Sequence, residues 1–267
     1  MRCTVLGATG FIGSHLVANL RNEGHEVLTP GRDATTFPEP LGHVFYCIGL
    51  TADFRSRPFD TVAAHVSVLA NVLQNATYDS LVYLSSTRVY SGAPSGQEDA
   101  LVAVSPNDPS DIYNISKLMG ESLCLNCGKP NVRAVRLSNV IGNDTGSNNF
   151  VFDIARSALA GHVHLRSDLA SAKDYIHVDD VVTLLKLITT KGQHRLYNLA
   201  TGIKVSHGQW LDKLAELTGC KVTVEPGAPR FDFPDVDISR IRDEFGVALK
   251  PVVDDLPNIL TSLKANT

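Results

Sequence analysis

Along the chain, short apolar runs alternate with helix-length stretches whose apolar positions recur every three to four residues. The runs predict strands over 3–6, 26–28, 44–48, 81–85, 132–137 and 196–199. The periodic stretches predict helices over 11–23, 62–74, 113–127, 151–160, 180–189 and 207–218. Strands that take turns with helices argue for an α/β fold, a doubly wound parallel sheet covered on both faces. The run Leu81-Val82-Tyr83-Leu84 is apolar throughout, as a strand buried on both sides should be. The alternation weakens after about Asn139. The expected organisation is therefore a ligand-binding domain over 1–140, with 174–200 returning to it, and a small α/β substrate lobe over most of 141–267.

Composition narrows the function classes. With 267 residues, the chain can bury a sizeable core without disulfides or metal. A formal net charge of −4 and no basic cluster argue against nucleic acid as a partner. No run approaches about 18 consecutive apolar residues, so no membrane span is expected. The first residues lack the pattern of a secretory signal, which points to the cytoplasm. Five irregularly spaced cysteines read as free thiols. The pair Cys124 and Cys127 has no second ligand pair at zinc spacing, so no metal is expected.

The chemistry starts at Gly7-Ala8-Thr9-Gly10-Phe11-Ile12-Gly13, between the first strand and the first helix. Glycines there let the backbone turn tightly and approach a pyrophosphate, whose charge meets the helix N-terminus. A ligand-free turn is the bland alternative, but the strand before it and the amphipathic helix after it favour a dinucleotide. Gly7, Thr9, Gly10, Phe11, Ile12 and Gly13 are the candidate contacts. At the end of the second strand Arg32 precedes Asp33. An arginine there suits the 2′-phosphate of NADP, and an acidic residue the 2′-hydroxyl of NAD. The cofactor is NADP or NAD, and Arg32 tips the reading toward NADP.

Tyr113 and Lys117 are four apart on a predicted helix, hence on one face. A nearby ammonium favours phenolate, so Lys117 is expected to lower the Tyr113 pKa. Such a phenol can exchange a proton with a substrate oxygen as a hydride leaves or arrives. The stretch Ser85-Ser86-Thr87 ends a buried strand and can add a hydroxyl beside it. Arg88 is open to two readings, a substrate phosphate contact or a solvated charge. Asp179 is expected to cap the helix that follows it, and Cys47 to be a small core residue.

Together these segments resemble the extended short-chain dehydrogenase/reductase family, the NAD-dependent epimerases, dehydratases and reductases of sugar nucleotides. The resemblance rests on GATGFIGSHL at 7–16, LSSTRVY at 84–90, YNISK at 113–117, VRLSNVIG at 135–142, KDYIHVDDV at 173–181 and YNLATG at 197–202. It implies a Rossmann-type sheet. It implies that Ser86, Tyr113 and Lys117 are catalytic, with Tyr113 and Lys117 also touching the cofactor, and that Leu137 packs near the nicotinamide. Ser86, Thr87, Asn139, Lys173 and, by a looser match, Arg230 are the implied substrate contacts. A homodimer formed through helices 62–74 and 113–127 is implied as well.

Several departures stand out. Only eleven residues separate Arg32 from Val44, too few for a full crossover unit, so the edge of the sheet after strand 2 should be shortened. His65 stands where asparagine is usual in the family, and the segment between Gly142 and Asp174 is short. Dehydratases of the family carry an Asp-Glu pair after the catalytic hydroxyl, where this chain has Thr87 and Arg88, so dehydration is disfavoured. The expected function is reversible hydride transfer on a sugar or nucleotide sugar, as an epimerase or a ketosugar reductase. A catalytically idle NAD(P)-binding regulator or scaffold is the alternative, disfavoured because Ser86, Tyr113 and Lys117 are all present.

Overall fold

A computed structural model describes residues 1–31, 34–142, 146 and 149–265. The first half runs β1 Arg2–Leu6, α1 Phe11–Asn22, β2 Glu26–Leu28, β3 His43–Tyr46 and α2 Pro58–Val62. A π-helical turn, Ala63–Ser67, joins α2 to α3 Val68–Asn75, and β4 Ser80–Ser86, α4 Asp111–Asn126 and β5 Val132–Leu137 follow. The second half runs β6 Asn139–Ile141, α5 Phe150–Leu159, β7 His162–Leu165, β8 Ala172–His177, α6 Val178–Lys191 and β9 Leu196–Leu199. It ends with β10 Lys204–Ser206, α7 His207–Thr218, β11 Lys221–Val224, α8 Ser239–Phe245 and α9 Leu256–Ala265.

Six parallel strands form the main sheet in the order β2-β1-β3-β4-β5-β9. Alternate side chains of each strand enter opposite cores, which is why the strands read as continuous apolar runs. Phe45, Val82 and Leu84 face Leu16 and Leu20 of α1 and Leu184 and Ile188 of α6. Val44, Tyr46, Leu81 and Tyr83 face Leu69 and Val72 of α3 and Cys124 of α4. A third core around the fully buried Trp210 gathers α5, α7 and α9 beside the small sheets β10-β8-β6 and β11-β7.

The short segment between β2 and β3 has the expected consequence. Among the described residues the main sheet ends at β2, whose only strand partner is β1. The described residues of the return to β3 form no helix. It is held by Thr4 Oγ1 donating to the Leu41 carbonyl at 2.6 Å, by Asn71 Nδ2 donating to the Thr35 carbonyl at 2.8 Å, and by Leu41 and Phe37 packing into the core.

Two expectations need correction. The cap of α6 is His177, whose Nδ1 accepts the Asp179 N–H at 3.2 Å. Asp179 lies within the first turn and is drawn away by Lys250 Nζ at 2.6 Å. Cys47 is packed only in part against the core, and its other side faces a cavity. The five cysteines are free thiols. Among the described residues no helix is long and apolar enough to cross a membrane.

Candidate active site

The carboxyl ends of the main-sheet strands open into a cavity of about 550 Å³. Its floor is the turn between β1 and α1. Gly7 has a φ of +86°, and a β-carbon there would lie 2.8 Å from the Cys47 backbone. A β-carbon on Gly13 would lie 2.2 Å from the Gly7 carbonyl oxygen. No side chain caps α1, so its first amide donors point at the cavity unclaimed by a cap. Open donors at a bare helix end suit a pyrophosphate, and this cradle fits a dinucleotide. Gly10, Phe11, Ile12 and Gly13 line the cavity, while Gly7 shapes the turn from behind and Thr9 is exposed on it. Arg32, the expected reader of the 2′-phosphate, lies outside the described residues.

Ser86, Tyr113 and Lys117 meet in the wall of this cavity. Ser86 ends β4 and is paired in register with Leu137 at the end of β5, which brings Leu137 into the same wall. The Ser86 side chain accepts the Arg88 N–H at 3.2 Å and is hydrogen-bonded to the Tyr113 phenol. Thr87 turns its hydroxyl to the Leu137 carbonyl at 3.4 Å. Lys117 Nζ donates to the Leu84 carbonyl at 2.8 Å and lies 5.7 Å from the centre of the Tyr113 ring.

The electrostatics differ from the expectation in one respect. Burial raises the Tyr113 pKa, opposed by the Ser86 hydrogen bond and by the charge of Arg88. Lys117 is not the cation that draws the phenol down. It is itself buried, which pushes its pKa down to about 7, with Glu121 and Cys47 pulling the other way. A half-discharged ammonium is a weak electrostatic partner, and the desolvation of a phenolate outweighs it.

His65 supports the same helix from behind. It sits fully buried in the π-helical turn, a distortion often found at functional sites. Its Nε2 accepts the Leu50 N–H at 3.2 Å, so Nδ1 carries the proton toward Ser116 Oγ at 2.8 Å. Ser116 donates in turn to the Tyr113 carbonyl at 2.9 Å. Burial and the charge of Lys117 push the His65 pKa down to about 3, so the ring is neutral.

The substrate candidates separate. Asn139 and Lys173 line the cavity. Asn139 Nδ2 donates to the Asp174 carbonyl at 2.9 Å, and Lys173 Nζ lies 5.5 Å over the Phe233 ring. Arg230 does not reach the cavity lining. It is exposed and held 3.3 Å from Asp232, so the loop around it contributes Phe233, Pro234 and Val236 instead. Sequence reasoning missed those three residues, along with Phe54, and gave Cys47 to the core; Arg88, open between a phosphate contact and a solvated charge, lines the cavity. The loop comes to the cavity through a bridge between Val236 and Gly96, far away in the chain, which leaves no local signal.

The chain matches the family model described as the NAD dependent epimerase/dehydratase family over residues 3–55 and 39–200. It is similar to a UDP-glucose 4-epimerase of Streptococcus mutans, 24% identical over 98% of this chain and 95% of that one. It is 29% identical to a dTDP-glucose 4,6-dehydratase of Streptomyces griseus over 94% of this chain and 89% of that one. Among solved structures, MoeE5 in complex with UDP-glucose and NAD has the same fold, with a TM-score of 0.83 at 23% identity over 100% of this chain and 99% of that one.

Proposed function

The chain belongs to the NAD-dependent epimerase/dehydratase family, and we propose that it moves a hydride between a nicotinamide dinucleotide and a carbon of a nucleotide-linked sugar. One observation carries the reading: Tyr113, Ser86 and Lys117 converge in the wall of a cavity whose floor is the glycine turn.

When bound, the nicotinamide accepts or returns the hydride. The rest falls to the side chains. Tyr113 exchanges the proton of the substrate oxygen as the hydride moves. Ser86 shares a hydrogen bond with the phenol and orients that oxygen. Lys117 holds the nicotinamide ribose, and the glycine turn holds the pyrophosphate. Asn139 and Lys173 face the diphosphate of the sugar nucleotide, and Leu137 packs against the nicotinamide. Arg32 favours NADP over NAD.

Dehydration is disfavoured despite the dehydratase relative. Elimination needs a separate acid and base. Beyond Ser86, Thr87 is turned to a carbonyl and Arg88 is a cation. Epimerase and reductase use the same groups and differ in whether the cofactor leaves. We also propose a homodimer through α2, α3 and α4, where Phe59, Val62 and Met119 are exposed. Light scattering on the eluting protein should return twice the chain mass.

Native mass spectrometry of the purified protein tests the reading. Tightly retained NAD supports an epimerase, and NADP that washes out and rebinds supports a reductase. Failure to bind either dinucleotide, before or after addition, overturns it.

A further inference from the structure

Among the described residues, Arg88 is a cation without a counter-ion. Its guanidinium lines the cavity 5.3 Å from the centre of the Phe54 ring and 5.9 Å from that of Tyr113. Its Nε is buried and has no hydrogen-bond partner. The other face of the neighbourhood is also positive: Arg55 lies 4.5 Å from the same Phe54 ring and is tied to Ser110 Oγ. Lys173 adds a further positive charge to the cavity wall.

Among the described residues, the carboxylates that feel Arg88 are Asp108 and Asp111, and both are engaged elsewhere. Asp111 accepts from the Ser105 N–H and from Asn114 Nδ2, each at 2.7 Å. Asp108 accepts the Ser110 N–H at 2.7 Å. Burial and Arg55 accordingly push the Arg88 pKa down. A partly desolvated guanidinium facing like charges is costly unless a ligand brings the opposite charge.

The position of Arg88 limits what that ligand group can be. Ser86 and Tyr113 fix the place of the reacting carbon, and Arg88 stands two residues after Ser86, over the Tyr113 ring. An anion it meets is therefore carried close to that carbon. We infer that Arg88 recognises a carboxylate on the sugar ring, so that the substrate class is a nucleoside-diphosphate uronic acid. The planar fork of a guanidinium matches both oxygens of a carboxylate. This assignment rests on the reading of the cavity as a nucleotide-sugar site. The competing anion is the diphosphate.

Calorimetric titration separates the two. UDP-glucuronic acid, UDP-glucose and UDP are each titrated into protein saturated with NAD. The uronic acid should bind about ten- to a hundredfold more tightly than UDP-glucose, the range of a charge-assisted hydrogen bond. Arg88→Gln should erase that preference and leave UDP-glucose affinity within about twofold, since only the carboxylate contact is lost. Arg88→Lys should keep a part of it. Equal binding of acid and neutral sugar, or binding of neither, overturns the assignment. So does an equal loss of affinity for all three compounds in Arg88→Gln, which would place Arg88 on the diphosphate. Failure of the hydride reading shows elsewhere: turnover by Tyr113→Phe equal to wild type would sink that reading without touching the binding ratio.

Discussion

The ammonium of Lys117 is held 2.8 Å from the carbonyl oxygen of Leu84, at the end of the strand that delivers Ser86. This contact fixes the lysine beneath the cavity, where burial pushes its pKa from 10.5 down to about 7. Between those two values the unfolded chain keeps a proton that the native chain has lost. Stability then rises with pH across that window, because the unfolded state binds more protons. Cofactor-free wild type should gain thermal stability relative to Lys117→Met as pH goes from 7 toward 10. A stability difference that stays flat over that range would contradict the buried, discharged lysine.

His65 makes a second pH prediction with a different window. Its pKa is pushed down to about 3, against 6.5 for an ordinary histidine. The unfolded chain takes up a proton below about 6.5 that the native ring refuses. The His65 contribution is therefore complete above that pH and is lost as pH falls toward 3. His65→Leu leaves the Leu50 N–H and the Ser116 hydroxyl without their partner. The cost of an unmade buried hydrogen bond is about 1–3 kcal/mol, or a Tm lower by roughly 2–10 °C at neutral pH. The gap to wild type should narrow in melts at pH 5. A gap that widens in acid would mean that the ring is protonated in the native state.

Much of this architecture is legible in the amino-acid sequence, for identifiable reasons. Strands buried on both faces are continuous apolar runs, so β4 and β5 announce themselves. The spacing of Gly7, Gly10 and Gly13 announces the turn between β1 and α1. The small strands do not. His162-Val163-His164-Leu165 has the alternation of a strand, but four residues are too short a window to separate from a loop. Helix α9 carries a legible pattern that the expected helices do not include: Leu256, Ile259, Leu260 and Leu263 follow Asp254 and Asp255 at helical spacing. The Tyr113 environment could not be read locally. Whether burial or a nearby cation controls the phenol depends on how deep α4 packs, and only the fold decides that.

The glycine turn offers a steric prediction. A methyl group on Gly13 would sit 2.2 Å from the Gly7 carbonyl oxygen, with backbone rather than a flexible side chain in the way. Overpacking of this kind costs about 1–3 kcal/mol, and here it also displaces the amides at the start of α1 that line the cavity. Gly13→Ala should lower Tm and weaken dinucleotide binding by more than about tenfold. Unchanged affinity in a folded Gly13→Ala protein, read by fluorescence titration with NADH and NADPH, would remove the turn from the cofactor site.

The central claim is that Tyr113 moves the proton while a hydride moves between cofactor and sugar. Its most direct test is a single turnover followed through the absorbance of the reduced nicotinamide, with wild type and Tyr113→Phe loaded with cofactor and mixed with nucleotide sugar. Wild type should show the reduced ring appear or disappear, and Tyr113→Phe should do so slower by about a hundredfold or more, while binding the cofactor as well. The same rate in both proteins, with full cofactor occupancy, would contradict the account.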